Sequence, residues 1–337
     1  MSSSFFRSTD GAWRNIAALT YTIVGYVCGL AFILADAWWV NIIGVLLLTH
    51  ALVYAAYFLH EFAHGTIFNT NRANRRGGEA MSWLTGAAYA PFVDLRRKHM
   101  RHHVDRADVV TFDYKAFLRH RPAWVCSLVS ALEWLYIPAV EFLMRGYVIL
   151  VPFISPECKS NRTRILGVLS VRLVFFAALG WVAPKSLFLY FVAYVIFVTI
   201  LRFVDAYQHT YDAFAVLASS GEIPKDKVRD RSYEQLNTYT NLVSLSYPWL
   251  NLLLLNFCYH NAHHEKPKIP WHQLPVLHRE LFGNNDQQVL PMSMLIKGFH
   301  RNRVRRVLSE DYGAVTTGDN KAEGFYGAVG VSFLTAV

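Results

Sequence analysis

The sequence is poor in charged residues and contains little cysteine. Asp, Glu, Lys and Arg make up 17% of its 337 residues, whereas soluble domains usually carry about 25%. An ordinary soluble enzyme is therefore not expected, because the apolar residues, 53% of the chain, also occur in long blocks. The four cysteines form no CxxC pair, which argues against a disulfide framework and against a thiolate metal site.

Acidic residues are also scarce. The sequence contains 24 Asp and Glu but 33 Lys and Arg, which gives a net charge of +9. In a membrane protein, an excess of Lys and Arg marks loops that face the cytoplasm and anionic lipid. Nucleic-acid binding is the competing interpretation, but no basic domain separates from the apolar blocks. We therefore expect membrane lipid, and no nucleic acid, as a partner.

Four apolar segments are long enough to cross a bilayer, which takes about 20 residues. Short turns join the first segment to the second and the third to the fourth, which predicts two transmembrane hairpins in an all-α integral membrane protein. The expected spans are residues 16–35, 40–59, 166–182 and 186–204 of a single domain, 1–337. The rest divides into cytoplasmic segments 60–165 and 205–308, which are expected to form a helical cap, and a polar tail, 309–337.

Basic residues predict the orientation of these hairpins. Their turns contain one Lys or Arg, Lys185, whereas the opposite ends carry the run 96–98 and the cluster 301–306. By the positive-inside rule, both termini and the long middle segment are expected in the cytoplasm.

Three further apolar stretches, 80–93, 123–153 and 242–259, are short or interrupted by proline and charge. We interpret them as helices that lie on or dip into the cytoplasmic leaflet. The alternative that one or two of them are true spans remains open at this point.

The histidines are clustered in a way that predicts a metal site. The chain contains one HxxxH box, two HxxHH boxes and a Gln-His pair just beyond the fourth span. Their histidines are His60 and His64; His99, His102 and His103; His260, His263 and His264; and His209. On a helix, residues three and four apart share a face, so each box can direct its imidazoles at a common ion.

The number of these histidines favours two metal ions. A structural zinc site takes four ligands and a catalytic one about three, whereas a dimetal site holds ions about 3.5–4 Å apart. All four elements are expected at the cytoplasmic ends of the spans, as a shared site requires. Imidazole alone does not identify the metal. Contact of the second box with lipid phosphates is the alternative, and His50, inside a span, is interpreted as a hydrogen-bonded core residue.

The order of boxes, with the hairpins placed between them, resembles the membrane fatty acid desaturase superfamily. The three residues inside the first box match its acyl-lipid type. The resemblance implies two non-haem Fe ions, O2 as co-substrate and a lipid acyl substrate. It also implies a separate electron donor of the ferredoxin, rubredoxin or cytochrome b5 type.

The resemblance further implies a metal ligand at His209. Stearoyl-CoA-type members have an Asn one turn before that position, where this chain has Asp205. Asp205 would reach the metal through water or orient an imidazole; a salt bridge with Arg202 is the alternative. Arg96, Arg97 and Lys98 are candidates for contact with a headgroup or an electron donor, against a merely solvated basic surface.

The expected function is O2-dependent diiron oxidation of an unactivated C–H bond in a lipid acyl chain, foremost desaturation. A hydroxylase, a carotenoid ketolase and a terminal-alkene-forming fatty acid decarboxylase are alternatives on the same scaffold. Outside this class stands a membrane metal transporter, which should carry ionisable ligands along a path through the bilayer. The spans hold almost none beyond His50 and Arg172.

Overall fold

The computed structural model describes residues 5–283, 285–309, 311–318, 320–329 and 333–337. The described part of the chain is mainly helical, with one pair of short parallel strands. The α-helices are α1 (Ala12–Leu34), α2 (Trp38–His64), α3 (Asn71–Thr85), α4 (Phe92–Asp105), α5 (Tyr114–Arg119), α6 (Ala123–Trp134), α7 (Ala139–Ile154), α8 (Arg162–Val182), α9 (Pro184–Ala206), α10 (Arg231–Leu236), α11 (His260–Glu265), α12 (Leu274–Phe282), α13 (Met292–Arg301) and α14 (Arg305–Leu308); the strands are β1 (Asp108–Val110) and β2 (Phe214–Val216), and 3-10 helices cover Pro156–Asn161 and Pro248–Leu254.

Among the described residues, four helices are long and apolar enough to cross a membrane: α1, α2, α8 together with the 3-10 turn before it, and α9. They coincide with the four expected spans, so the predicted pair of transmembrane hairpins is confirmed. The main difference lies at the end of α2, which continues to His64 and so carries the whole HxxxH box on helix. The first box is therefore held rigidly by a span.

Small residues let α1 and α2 pack closely. A Cβ atom at Gly29 would lie 2.8 Å from the backbone nitrogen of Leu48, and one at Gly44 would lie 2.8 Å from that of Ile33. Close backbone approach at small residues is a common way for helices to associate in membranes. The tight turn is closed by Asn41, whose side-chain nitrogen donates to two carbonyls at the end of α1, each at 2.9 Å.

The chain reverses direction after α2, and α3 packs against α2. Gly65 ends α2 in the left-handed region, at φ 68°, and Thr70 then caps α3 by accepting from the backbone N–H of Ala73 at 3.2 Å. Gly77 faces the ring of Phe62 on α2, where a Cβ would come within 2.5 Å. With 15 residues, α3 is too short to span a bilayer.

The other two interrupted stretches also form short helices. The stretch 123–153 is divided into α6 and α7 by a break that contains Tyr136, at φ 62°, and Pro138. In the stretch 242–259, a 3-10 helix exposes Trp249 and Leu253. These elements are not among the four described helices that qualify as spans, as predicted. Their location on the cytoplasmic leaflet stays a prediction.

A buried ion pair connects α6 to α9. Arg202 donates to Glu133 at 2.6 Å, and the two side chains are only 7% and 3% exposed. Glu133 also accepts from the backbone N–H of Val140, at 3.0 Å. Arg202 is therefore engaged with α6.

Candidate metal centre

The nine predicted histidines converge into two groups. In each group, one nitrogen per imidazole lies within 4.8 Å of the corresponding nitrogen of every other member, a spacing that can hold a metal ion. Group 1 contains His60, His64, His99, His103 and His263, and group 2 contains His102, His209, His260 and His264. Residues that are distant in sequence thus form two adjacent sets of potential ligands.

Helices α4 and α11 contribute to both groups in a reciprocal way. The i, i+4 pair His99 and His103 of α4 belongs to group 1, whereas His102 points into group 2. On α11, the i, i+4 pair belongs to group 2 and His263 belongs to group 1. The two groups adjoin where the rings of His103 and His264 lie 4.2 Å apart. Each HxxHH helix therefore lies between the two candidate ion positions.

The distances between facing nitrogens fit metal coordination. The Nε2 atom of His99 is 2.7 Å from that of His64 and 3.1 Å from that of His103. In group 2, the Nε2 atom of His209 is 2.8 Å from that of His260 and 3.1 Å from that of His102. Two nitrogen ligands bound at 2.0–2.1 Å and at right angles would lie about 3 Å apart. The spacing is that expected around a shared ion.

Hydrogen bonding leaves several of these imidazoles unsatisfied. Both nitrogens of His60 and Nε2 of His264, which would face the ions, are buried without a hydrogen-bond partner. Buried polar atoms are normally satisfied, and each exception requires an explanation such as a role in binding an ion. The donor set therefore fits two metal ions, with the nitrogen lone pairs as ligands.

Burial keeps these imidazoles neutral, which metal binding requires. Desolvation lowers the pKa of His263 to about 3, and it lowers the pKa of His99 and His103 well below the ordinary value, with further depression by neighbouring histidines. A neutral imidazole offers a free lone pair at physiological pH. The site is thus prepared to bind cations without first losing protons.

Contacts outside the groups orient the imidazoles of group 2. Nδ1 of His102 lies 3.0 Å from the carbonyl of Ala107, and Nδ1 of His209 lies 3.2 Å from the hydroxyl of Thr238. Thr238 donates its own proton to the Glu234 carbonyl, at 2.7 Å, so it accepts from His209. Such contacts fix which ring nitrogen faces the metal.

Glu234 occupies a further position at the centre, which the sequence did not reveal, and its carboxylate lies within 4.8 Å of ring nitrogens of His103 and His264. Its carboxylate accepts from Nδ1 of His264 at 2.8 Å and from Arg106 at 2.9 Å, and the side chain is 8% exposed. Glu234 lies in α10, within a polar stretch that has no histidine spacing to reveal it. Only the fold brings α10 beneath α11.

Replacing Glu234 with Ala is expected to weaken metal binding about 10- to 100-fold, as loss of an outer carboxylate typically does. His264 would then lack the partner that orients its ring. The measurement is metal retention after dialysis against a chelator. Glu280→Ala, at an exposed position on α12, is the matched control. Equal retention by both variants would show that Glu234 does not position the ligand.

A small cavity borders group 2. It has a volume of about 40 Å³, and its lining includes His102, His209, Asp205 and Gln208. Since about 10–15 Å³ accommodates one water, the cavity admits only a few small molecules. Asp205 lines the same cavity as His209 but is not part of either imidazole group, and its role beside the metal stays a prediction.

The structure contradicts the prediction that Lys98 contacts a headgroup or an electron donor. Its side chain is buried, at 2% exposure, and its Nζ donates to the carbonyl of Thr335 at 2.8 Å. Burial by the C-terminal residues removes it from the surface. Arg96 and Arg97 are exposed, and Arg97 pairs with Asp94 at 3.1 Å.

The C-terminal residues 333–337 reach the metal centre, which the sequence did not reveal. Phe333 is 2% exposed, and its ring lies 6.0 Å from that of His60 and 6.1 Å from that of Phe257. The sequence predicted only a polar tail, 309–337. Its described end instead forms an apolar wall of group 1.

The histidines other than the nine predicted ligands stay outside the two groups. His50 lies within hydrogen-bond distance of Tyr21 and, at 3.0 Å, of the Leu253 carbonyl, as predicted for a structural residue. His120 lies 2.7 Å from the Ala116 carbonyl of its own helix.

Four membrane-type helices and two groups of buried imidazoles define a class, the integral membrane proteins with a histidine-rich site that could bind metal. A family model described as "Fatty acid desaturase" matches residues 36–295. The chain therefore belongs to the fatty acid desaturase family, and it is an oxidoreductase of the desaturase type rather than a metal transporter. No curated protein matches the chain.

Proposed function

We propose that this protein catalyses O2-dependent oxidation of an unactivated C–H bond in a lipid acyl chain, with desaturation as the outcome. The nine histidines of groups 1 and 2 would bind two Fe ions. The observation that carries the proposal is the convergence of nine buried imidazoles into two adjoining sets of five and four. Family membership supports lipid oxidation in general.

Two bound irons would supply the activation of O2 and the cleavage of the C–H bond, which no side chain performs alone. The protein's contribution is position and exclusion of water. Group 1 is walled by Phe257 and Phe333, and the ring of Phe257 lies 4.8 Å from that of His60. These apolar walls would keep water away from the reacting centre.

Asp205 would act on the side of group 2. It lies with Gln208 in the small cavity beside His102 and His209. We propose that its carboxylate orients water or an imidazole there, as outer carboxylates do at other metal sites. It would help to hold group 2 in a single arrangement.

The orientation that we propose places both termini and the metal centre in the cytoplasm. The positive-inside rule supports it, because Lys185 is the one Lys or Arg in the turns that close the two hairpins. A separate electron donor, of the ferredoxin, rubredoxin or cytochrome b5 type, would then approach from the cytoplasm. Arg96 and Arg97, which are exposed close to α4's histidines, offer a positive surface to such an acidic carrier.

Lipid analysis by mass spectrometry of cells that produce the protein tests this proposal. We expect new double bonds in acyl chains, and none in cells that produce an equal amount of the His263→Ala variant. A new alcohol, ketone or terminal alkene with unchanged acyl unsaturation would show that the protein catalyses one of the alternative reactions instead of desaturation. Identical lipids in both cell lines would refute oxidation of lipid altogether.

A further inference from the structure

A second cavity, of about 580 Å³, lies among α7, α8, α9 and the end of α3. This volume is typical of ligand pockets, which measure about 300–1,000 Å³. The cavity shares no lining residue with the small cavity beside His102 and His209. Its lining is mostly aromatic and aliphatic, and its charged members among the described residues are Arg145 and Arg172. Both charges have the same sign.

Arg172 is placed deep in the membrane-spanning region. It belongs to α8 (Arg162–Val182) and lies roughly 15 Å along the helix axis from Arg162. Arg172 therefore lies near the middle of an apolar helix that is long enough to cross the hydrocarbon core, which is about 30 Å thick. Ionisable groups at such depth are costly, and they usually mark a functional site.

The end of α3 accounts for only part of this positive charge. Arg172 donates to the carbonyl of Trp83, and Arg145 donates to that of Gly86 at 3.0 Å. A helix C-terminus carries about half a negative elementary charge, whereas the two guanidinium groups carry two full positive charges. Arg145 also donates to the hydroxyl of Tyr194, a second neutral acceptor in the lining of the cavity. Neutral acceptors of this kind offset only part of two full positive charges.

The cavity also offers donors that the protein leaves unused. Each guanidinium has five N–H groups, and the contacts of Arg145 with the Gly86 carbonyl and the Tyr194 hydroxyl both use its Nη1. Gly86 makes room for this guanidinium: at φ 76°, its missing Cβ would lie only 2.6 Å from it. The backbone thus accommodates a cation beside an apolar cavity.

We propose that this cavity binds an anionic membrane amphiphile. Its carboxylate or phosphate head would be held by Arg145 and Arg172, whose planar forks match such groups. Its acyl chain would lie against the apolar side chains of Phe176, Leu187 and Phe191. The inference is independent of the proposed oxidation chemistry, because it involves none of the candidate metal ligands.

Thermal unfolding of the purified protein in an uncharged detergent tests the site. Oleate, phosphatidylglycerol and oleyl alcohol are added separately, and the unfolding midpoint is followed with concentration. We expect at least one anionic amphiphile to raise the midpoint and oleyl alcohol to leave it unchanged. A response to oleate alone identifies a carboxylate head, and a response to phosphatidylglycerol identifies a phosphate head. An equal effect of oleyl alcohol would overturn the proposal.

Substitutions locate the binding. Arg145→Gln and Arg172→Gln are expected to weaken the response at least about tenfold in concentration, as loss of a charge-assisted hydrogen bond does. Arg75→Gln, at an exposed position on α3, should leave it unchanged. Unaltered responses in both cavity variants would contradict the assignment.

A second variant covers the case in which loss of an arginine prevents folding. Leu187→Trp fills the apolar part of the cavity from a partly exposed position and leaves both arginines in place. It should weaken the same response without loss of iron. A full response in Leu187→Trp would show that the amphiphile binds elsewhere.

Discussion

Replacing His263 with Ala is expected to abolish product formation and to lower the iron content of the purified protein. His263 is buried, and its Nε2 lies 3.2 Å from that of His103 within group 1. Loss of an outer partner alone costs about 10- to 100-fold in affinity or activity, so loss of a direct ligand should cost at least about 100-fold. Product analysis and iron analysis of the same preparation provide the measurement.

The control for this variant is His120→Ala, which removes an exposed histidine at the end of α5. It should keep full activity and iron content. Both variants must reach the membrane in equal amounts, since misfolding would also remove product. Full turnover by His263→Ala would remove it from the set of metal ligands.

Replacing His209 with Ala should have an equally large effect on activity but a more selective effect on metal. His209 belongs to group 2 and lies outside the three boxes. Group 1 keeps all five of its imidazoles in this variant. Iron content is therefore expected to fall from about two to about one ion per chain, with product lost at least about 100-fold.

His278→Ala provides a matched control, because this histidine is also buried, at 9% exposure, and packs against Tyr259 and Phe282. It should retain both ions. An unchanged iron content in His209→Ala would show that group 2 does not depend on this residue. Loss of both ions would show that the groups do not bind metal independently.

The parts of this site that are predictable from sequence depend on local geometry. The spacing of three and four residues places the histidines of each box on one helix region before any tertiary contact is considered. The signal for each of the four spans is equally local, because about 20 consecutive apolar residues are enough to predict a span. The position of His209 followed from family resemblance and from its place after the fourth span.

The division of each HxxHH box between two groups was not predictable. His102 and His103 are adjacent in sequence yet serve different groups. Which imidazole faces which ion depends on how α4 and α11 are rotated relative to each other, and that rotation is set by packing. The spacing indicates which histidines belong to the site, but not which of the two groups each histidine joins.

The other features that the sequence did not reveal also depend on tertiary packing. Glu234 and Phe333 reach the site from segments without any histidine pattern. The parallel pairing of β1 with β2 brings the chain after α4 alongside the chain after His209. Lys98 looked like part of a surface run, but residues 333–337 cover it. Long-range contacts of this kind leave no periodic signal in the sequence.

The number of iron ions in the purified wild-type protein tests the central claim most directly. Two adjoining sets of buried, neutral imidazoles predict about two irons per chain, measured by elemental analysis against quantitative amino-acid analysis of the same sample. A preparation that is fully active with one iron per chain, or with none, would contradict the dimetal site on which the proposed function depends.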